Sequence, residues 1–361
     1  MDTNAKGKVN GMERRIRKPN ITETCLVLIC IFMVGFVLSR AERVAIPLML
    51  AFLLTLALYP VVKAGEPYKI RPIIMVFVIM FCFFAVFVPL GVFLNARLQM
   101  TLMRLPSYYG KLVEIGRGLL HQYQIPTAFL DTFNWYNTIG RYLSGMPRFL
   151  MSWFGYFTMV MVFLIFMLLE APYMNNRLLL AFKGEGGEAV TRIADTVVMQ
   201  ISKYLRTLAI ISFVTAALVW GALYIIRVDF ALTWAVLAFF LNFIPTVGSI
   251  VASIPPILVA LVQYYPSPTP AVLTLLLLSA IQFGIGNLVT PKVMGDALDL
   301  SPVIILVSLM FWGGIWGVVG ALLSVPIAVM IKIICENIRQ LSFIAVLMSS
   351  AKDRLPEEPQ E

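Results

Sequence analysis

The stretch FLNFIPTVGSIVASIPP, residues 240–256, sets Asn242, Thr246, Ser249 and Ser253 around Pro245 and Gly248. These amides and hydroxyls are neutral hydrogen-bonding groups inside one of the most apolar parts of the chain. Proline removes a backbone donor and clashes with the preceding turn, while glycine admits φ > 0, so the pair predicts a break at NFIPTVGS. A broken helix leaves N–H and C=O groups unpaired, and these can bind a polar solute or an ion. Close helix packing through small residues, with prolines as kinks, explains the same composition without a ligand.

Two further stretches have this character. In AIQFGIGNLVTPKVMGDALDLSP, residues 280–302, Gln282, Asn287 and Thr290 accompany Gly284 and Gly286, and positions 283, 286, 287 and 290 share a helical face. Amides deep in an apolar helix are costly unless paired, which points either to a solute path or to interhelical hydrogen bonds. In MFWGGIWGVVGALLSVP, residues 310–326, Gly313, Gly314, Gly317 and Gly320 leave the backbone bare. They suit a flexible tip or gate, or close helix packing.

Other chemistries find little support. A single histidine, His121, argues against histidine-based metal sites and triads, and Cys25, Cys30, Cys82 and Cys335 have no metal-site or disulfide spacing. No Walker motif and no HExxH occurs. The MGD at 294–296 lacks the second buried aspartate of an intramembrane aspartyl protease. We therefore expect no catalytic residues, no metal site and no cofactor. Glu23, Glu42, Glu170 and Asp229 fall at the ends of apolar runs, and no charged pair at mid-depth marks a proton relay.

The elements that must position the polar stretches follow from hydropathy. The chain is 60% hydrophobic and 13% charged, against about 25% charged residues in soluble domains. Its apolar runs are too long and too uniform for barrel strands, so the fold class is an all-α polytopic membrane protein. Full spans are expected at about 21–39, 44–62, 73–96, 149–169, 207–226 and 271–290. The apolar stretches 229–264 and 301–335 are longer than one span and shorter than two. A helix of that length would reach about 53 Å, against a hydrocarbon core of about 30 Å. Each is expected to be a re-entrant helical hairpin that turns mid-membrane, the first at 242–249 and the second at 313–320.

The net charge of +9 is read as membrane topology, with no nucleic-acid partner. Lys and Arg crowd the basic segment 1–20 and the short loops 63–71 and 171–206, which places the N-terminus in the cytoplasm. The first apolar run is expected to stay as a signal-anchor. The hairpins then enter from opposite faces, as in inverted-topology secondary transporters whose substrate binds where the tips meet. Segment 97–148 alternates basic and apolar positions and carries Tyr108, Tyr109, Trp135 and Tyr136. It reads as extracytoplasmic amphipathic helix along the outer surface, or as an oligomer contact. The expected organisation is one transmembrane domain over 1–361: scaffold helices at 21–96, a helix with a cytoplasmic helical loop at 149–206, a transport unit at 207–335 and a cytoplasmic tail at 336–361.

Taken as a set, FLNFIPTVGSIVASIPP, NLVTPKVMGDALDLSP and LMFWGGIWGVVGALLSVPI resemble the autoinducer-2 exporter-like family of bacterial membrane proteins. The resemblance implies a multi-pass permease of the bacterial inner membrane. Its members are linked to export of the signalling furanone autoinducer-2, and others to exchange of Na⁺ or Li⁺ for H⁺. It further implies a homo-oligomer, such as a pentamer, in contact with membrane lipid and carrying a small molecule or an ion. Members often have an acidic residue just before the proline where this chain has Thr290, so the resemblance implies a cation ligand that this chain lacks. Neutral tips suit an uncharged hydroxylated solute better than a cation.

Overall fold

A computed structural model describes residues 21–122, 135–182, 185–245, 247–294, 300–338 and 341–350. Every regular element among them is helical. In chain order the α-helices are α1 (Ile21–Arg40), α2 (Glu42–Lys63), α3 (Pro72–Gln122), α4 (Trp135–Ala181), α5 (Glu185–Ile226), α6 (Ala231–Leu241), α7 (Val247–Gln263), α8 (Thr269–Phe283), α9 (Thr290–Met294), α10 (Pro302–Asn337) and α11 (Ser342–Met348). Six helical segments are long and apolar enough to cross a membrane: Glu42–Lys63, Pro72–Arg97, Gly155–Ala181, Gly187–Ile226, Thr269–Val289 and Pro302–Asn337.

The chain divides into residues 1–42 and 43–361. The first unit contains α1, an apolar helix with Ile29, Met33, Val34, Phe36 and Val37 exposed. Its Arg40 guanidinium lies over the Phe36 ring, 5.4 Å from the centroid. The second unit holds two cores. In one, Ala51 and Val62 of α2 pack with Val76, Ile79 and Met80 of α3 and with Leu164 and Leu168 of α4. In the other, Val219 and Leu223 of α5 meet Ala235 and Ala238 of α6, Ala252, Val259 and Ala260 of α7, and Ala271 and Leu278 of α8. So many alanines let four helices approach closely, the packing that apolar solvent favours because lipid removes the hydrophobic drive for association. The Ser202 hydroxyl of α5 donates to the Leu56 carbonyl of α2.

Both awkward apolar stretches reverse direction. Residues 229–264 leave and return at one point. The Asp229 N–H donates to Gln263 Oε1 (2.8 Å), Gln263 Nε2 donates to the Arg227 carbonyl (2.8 Å), and the Tyr264 hydroxyl donates to the Ile226 and Arg227 carbonyls (2.6 and 3.0 Å). Arg227 and Phe230 both sit at φ 62°, a conformation that side-chain-bearing residues rarely adopt. The four bonds at the base hold the backbone around them.

In α10 the break is at Gly317, with φ 61° and ψ −139°. The Ser308 hydroxyl donates to the Ser324 carbonyl at 2.7 Å, whereas sixteen residues of straight helix would separate them by about 24 Å. Ser308→Ala should lower stability by about 1 kcal/mol, read as a reduced unfolding temperature of the detergent-solubilised protein.

Proline is a poor guide to these breaks. Pro47 and Pro60 lie inside α2, Pro89 and Pro106 inside α3, Pro255 and Pro256 inside α7, and Pro326 inside α10. Nor does α3 end near residue 96: it continues through the amphipathic segment to Gln122. Its 51 residues measure about 76 Å, more than the roughly 40–45 Å of a bilayer with its headgroups. The side chains of Trp135 and Tyr136, expected at a headgroup belt, lie outside the described residues.

Candidate functional site

The hairpin of α6 and α7 turns at 242–245. Its backbone is closed by bonds from Asn242 N–H to the Ala238 carbonyl (2.9 Å), Ile244 N–H to Leu241 (2.9 Å) and Gly248 N–H to Ile244 (3.1 Å). Gly248 is buried, and a Cβ there would overlap the Leu241 carbonyl oxygen. Glycine is therefore required by the closeness of the two limbs. Asn242 is half-buried, and its Nδ2 donates to the hydroxyl of Ser212 on α5 at 3.0 Å. Ser212 is fully buried; its role was not apparent from the sequence, because nothing local marks one serine in a long helix as the partner of an amide thirty residues on. Ser249 and Ser253 are half-buried, and the Ser253 hydroxyl bonds back to the Ser249 carbonyl (2.9 Å). Pro245 is half-buried in the turn, and Thr246 lies outside the described residues.

After α8 the helix widens into a π turn over Gly284–Val289 before α9 resumes. Such turns insert one residue into a helix and occur often at functional sites. Here the Thr290 N–H and its hydroxyl both address the Ile285 carbonyl, the hydroxyl at 2.8 Å. Asn287 is exposed, with its amide 3.3 Å from the Phe283 carbonyl. Gln282 and Gly284 are half-buried, and Gly286 is exposed. A regular 3.6-residue face does not describe this segment, since the extra residue rotates everything beyond it. Residues 295–299, including Asp296 and Asp299, lie outside the described residues.

At the turn of α10, Gly317 needs its left-handed backbone, and a Cβ on Gly320 would overlap the Trp312 carbonyl oxygen and come within 2.9 Å of Trp316 Cβ. Gly313 faces Ala321, where a Cβ would make ordinary contact at 3.7 Å, and Gly314 faces open space. The two hairpins make no extended contact with each other among the described residues. Each instead packs on α5, which also carries α8 and α9. The structure thus gathers the polar stretches around one helix, and a direct meeting of the two tips is not what holds them together.

A polar centre that the sequence did not reveal lies at the base of the first hairpin. Asp229 Oδ2 accepts from Arg104 Nη1 at 3.2 Å and from the Tyr108 hydroxyl at 2.6 Å, both on α3. Arg104 also lies over the Phe230 ring, 5.8 Å from its centroid. Asp229, Arg104 and Tyr108, with Ser107, Lys111 and Gln263, line a cleft of about 370 Å³. Burial, helped by the bond to and the negative charge of Asp229, pushes the Tyr108 phenol up to about 12. Any stability from that protonated phenol is fully present below the ordinary tyrosine range near 10 and is lost only as pH rises through about 12, so Tyr108 remains a donor at physiological pH. A second charged pair, Lys332 and Glu336 on α10, lies 3.4 Å apart with the lysine buried. Among the described residues, no cluster of three His, Cys, Asp or Glu side chains could hold a metal ion.

A family model described as "AI-2E family transporter" matches residues 26–340. The chain is 31% identical over 328 residues to a Borreliella burgdorferi protein named only provisionally as a transport protein, covering 91% of this chain and 90% of that one. It is 31% identical over 317 residues to the AI-2 transport protein TqsA of Escherichia coli K12, covering 86% and 90% of the two chains. A Haemophilus influenzae protein, also named provisionally for transport, is 28% identical over 343 residues, covering 92% of this chain and 98% of its own.

Proposed function

The chain belongs to the AI-2E family of transporters, and on that premise we propose that this membrane transporter exports a small, uncharged, hydroxylated solute of the autoinducer-2 kind by alternating access. The observation that carries the reading is the turn at 242–245, where a neutral amide, Asn242, is oriented by Ser212 beside backbone too crowded for any side chain at Gly248. Neutral donors and acceptors at a helix break can replace the water of a hydroxylated solute and offer no countercharge to a cation. The other groups assigned to the path, Ser249, Ser253, Gln282, Asn287 and Thr290, are neutral too. The name of the related TqsA supports autoinducer-2 as the solute class.

In this reading residues 207–335 form the moving unit, with both reversed stretches as re-entrant hairpins and the glycines of α10 as the second gate. Residues 21–96 form the scaffold. The protein lies in the bacterial inner membrane with both termini cytoplasmic, as a homo-oligomer. Flux through purified protein in proteoliposomes tests the function against a panel of autoinducer-2, Na⁺, Li⁺ and a pH-sensitive dye. Saturable autoinducer-2 flux is the expected result. A Na⁺- or Li⁺-driven pH change would replace it with an antiporter, non-saturating conductance with a channel, and no flux of any kind with a membrane scaffold.

A further inference from the structure

We infer that Asp229, gripped by Arg104 and Tyr108, is a latch between α3 and the α6–α7 hairpin that favours one state of the transport cycle and must open for the other. The inference rests on the transporter reading above and adds a moving part to it. Three features carry it.

The hairpin is closed at its base without help from α3. The bonds among Gln263, Tyr264, Asp229 and the carbonyls of Ile226 and Arg227 all lie within 226–264. It therefore keeps its shape when α3 lets go, as a rigid body must. The grip itself is polar and wet: the Arg104 and Asp229 side chains are 63% and 35% exposed. Ion pairs of this exposure contribute little, since water replaces the partner readily. Release would also leave no charge stranded, because the cleft around the pair is open to solvent and Lys111 lines it as a neighbouring cation.

Tyr108 packs its ring against the alanine-rich core while its hydroxyl reaches Asp229. One residue thus couples the packing of the hairpin to the polar grip. A contact of this strength suits a two-state joint, whose populations a bound solute can shift with modest differential affinity.

Two measurements on the full-length protein test the latch. The first is made in a variant with its four native cysteines replaced and transport retained. Arg104→Cys and Asp229→Cys are combined and bridged by a short bifunctional methanethiosulfonate. Flux is expected to fall about tenfold or more on bridging and to recover on reduction, while the reagent leaves each single-cysteine variant at the rate that variant has before treatment. Flux that persists with the bridge in place makes the contact a static brace and overturns the inference.

The second does not depend on transport. Spin labels at Lys111→Cys and Ser267→Cys, on α3 and on the turn after the hairpin, are read by pulsed distance measurement. Two distance populations are expected, with Tyr108→Phe moving weight to the longer by about threefold. A single population, or two populations whose weights Tyr108→Phe leaves unmoved, overturns the latch. If the unmodified protein shows no flux, the functional reading fails by itself and the distance measurement still judges the latch.

Discussion

Replacing Gly248 with alanine is expected to lower stability by about 3 kcal/mol and to cut flux about tenfold or more. The methyl group has nowhere to go, because it would overlap the Leu241 carbonyl oxygen, and backbone yields far less easily than a flexible side chain. Relief requires the limbs of α6 and α7 to part, which unpacks Ala238 and Ala252 from the core they share. Gly221 of α5 provides the comparison, since a Cβ there meets nothing within 4 Å. Gly221→Ala should be neutral or stabilising by up to about 1 kcal/mol, as expected for a helix-interior glycine. Thermal unfolding in detergent and flux in proteoliposomes read both effects. An undiminished unfolding temperature for Gly248→Ala would mean that the limbs part at the turn without loss of packing.

Asn242→Leu is expected to reduce autoinducer-2 flux about tenfold or more without lowering membrane abundance. The substitution keeps the branching of the side chain and removes the amide that bonds Ser212. It also leaves a buried serine hydroxyl without that donor, at about 1–3 kcal/mol. Stability and transport can be separated by a second substitution. Ser212→Ala in the Asn242→Leu background removes the stranded hydroxyl, so stability should recover while flux stays low. Recovery of both would make Asn242 a packing residue and remove it from the solute path. Ser212→Ala alone should have the smaller effect on flux, since Asn242 keeps its amide and loses only its orientation.

Much of the architecture could be read from the sequence because lipid is a severe solvent. Backbone groups in hydrocarbon must pair internally, so helix positions follow from hydropathy alone. The unusual lengths of 229–264 and 301–335 likewise pointed to chain reversal. Proline is the less legible signal for the breaks. Pro255 and Pro256 sit inside α7 without ending it, because helices in apolar surroundings tolerate proline when neighbours satisfy the freed carbonyls. Glycine marked the turns more faithfully, through crowding at Gly248 and Gly320 and through positive φ at Gly317.

The features that stayed hidden are of two kinds. The π turn at Gly284–Val289 adds a single residue to a helix, and no periodicity over so short a segment registers it. Asp229 was visible as a charge at the end of an apolar run, but its partners Arg104 and Tyr108 lie 125 and 121 positions away. Pairing over such separations is a product of tertiary packing. Lys332 went unnoticed as a buried charge because it lies near the end of an apolar run, where a long side chain ordinarily reaches water.

The closed base of residues 226–264 has an evolutionary consequence. Its two ends are stitched together by its own side chains, so it can be exchanged as a cassette. Grafting this segment from one relative into another requires that the recipient supply, on α3, a mate for Asp229 and matching apolar faces on α5 and α8. Chimeras cut at Ile226 and Tyr264 should therefore assemble where cuts inside either limb would not, and solute preference could be traded between relatives without redesigning the frame that carries it.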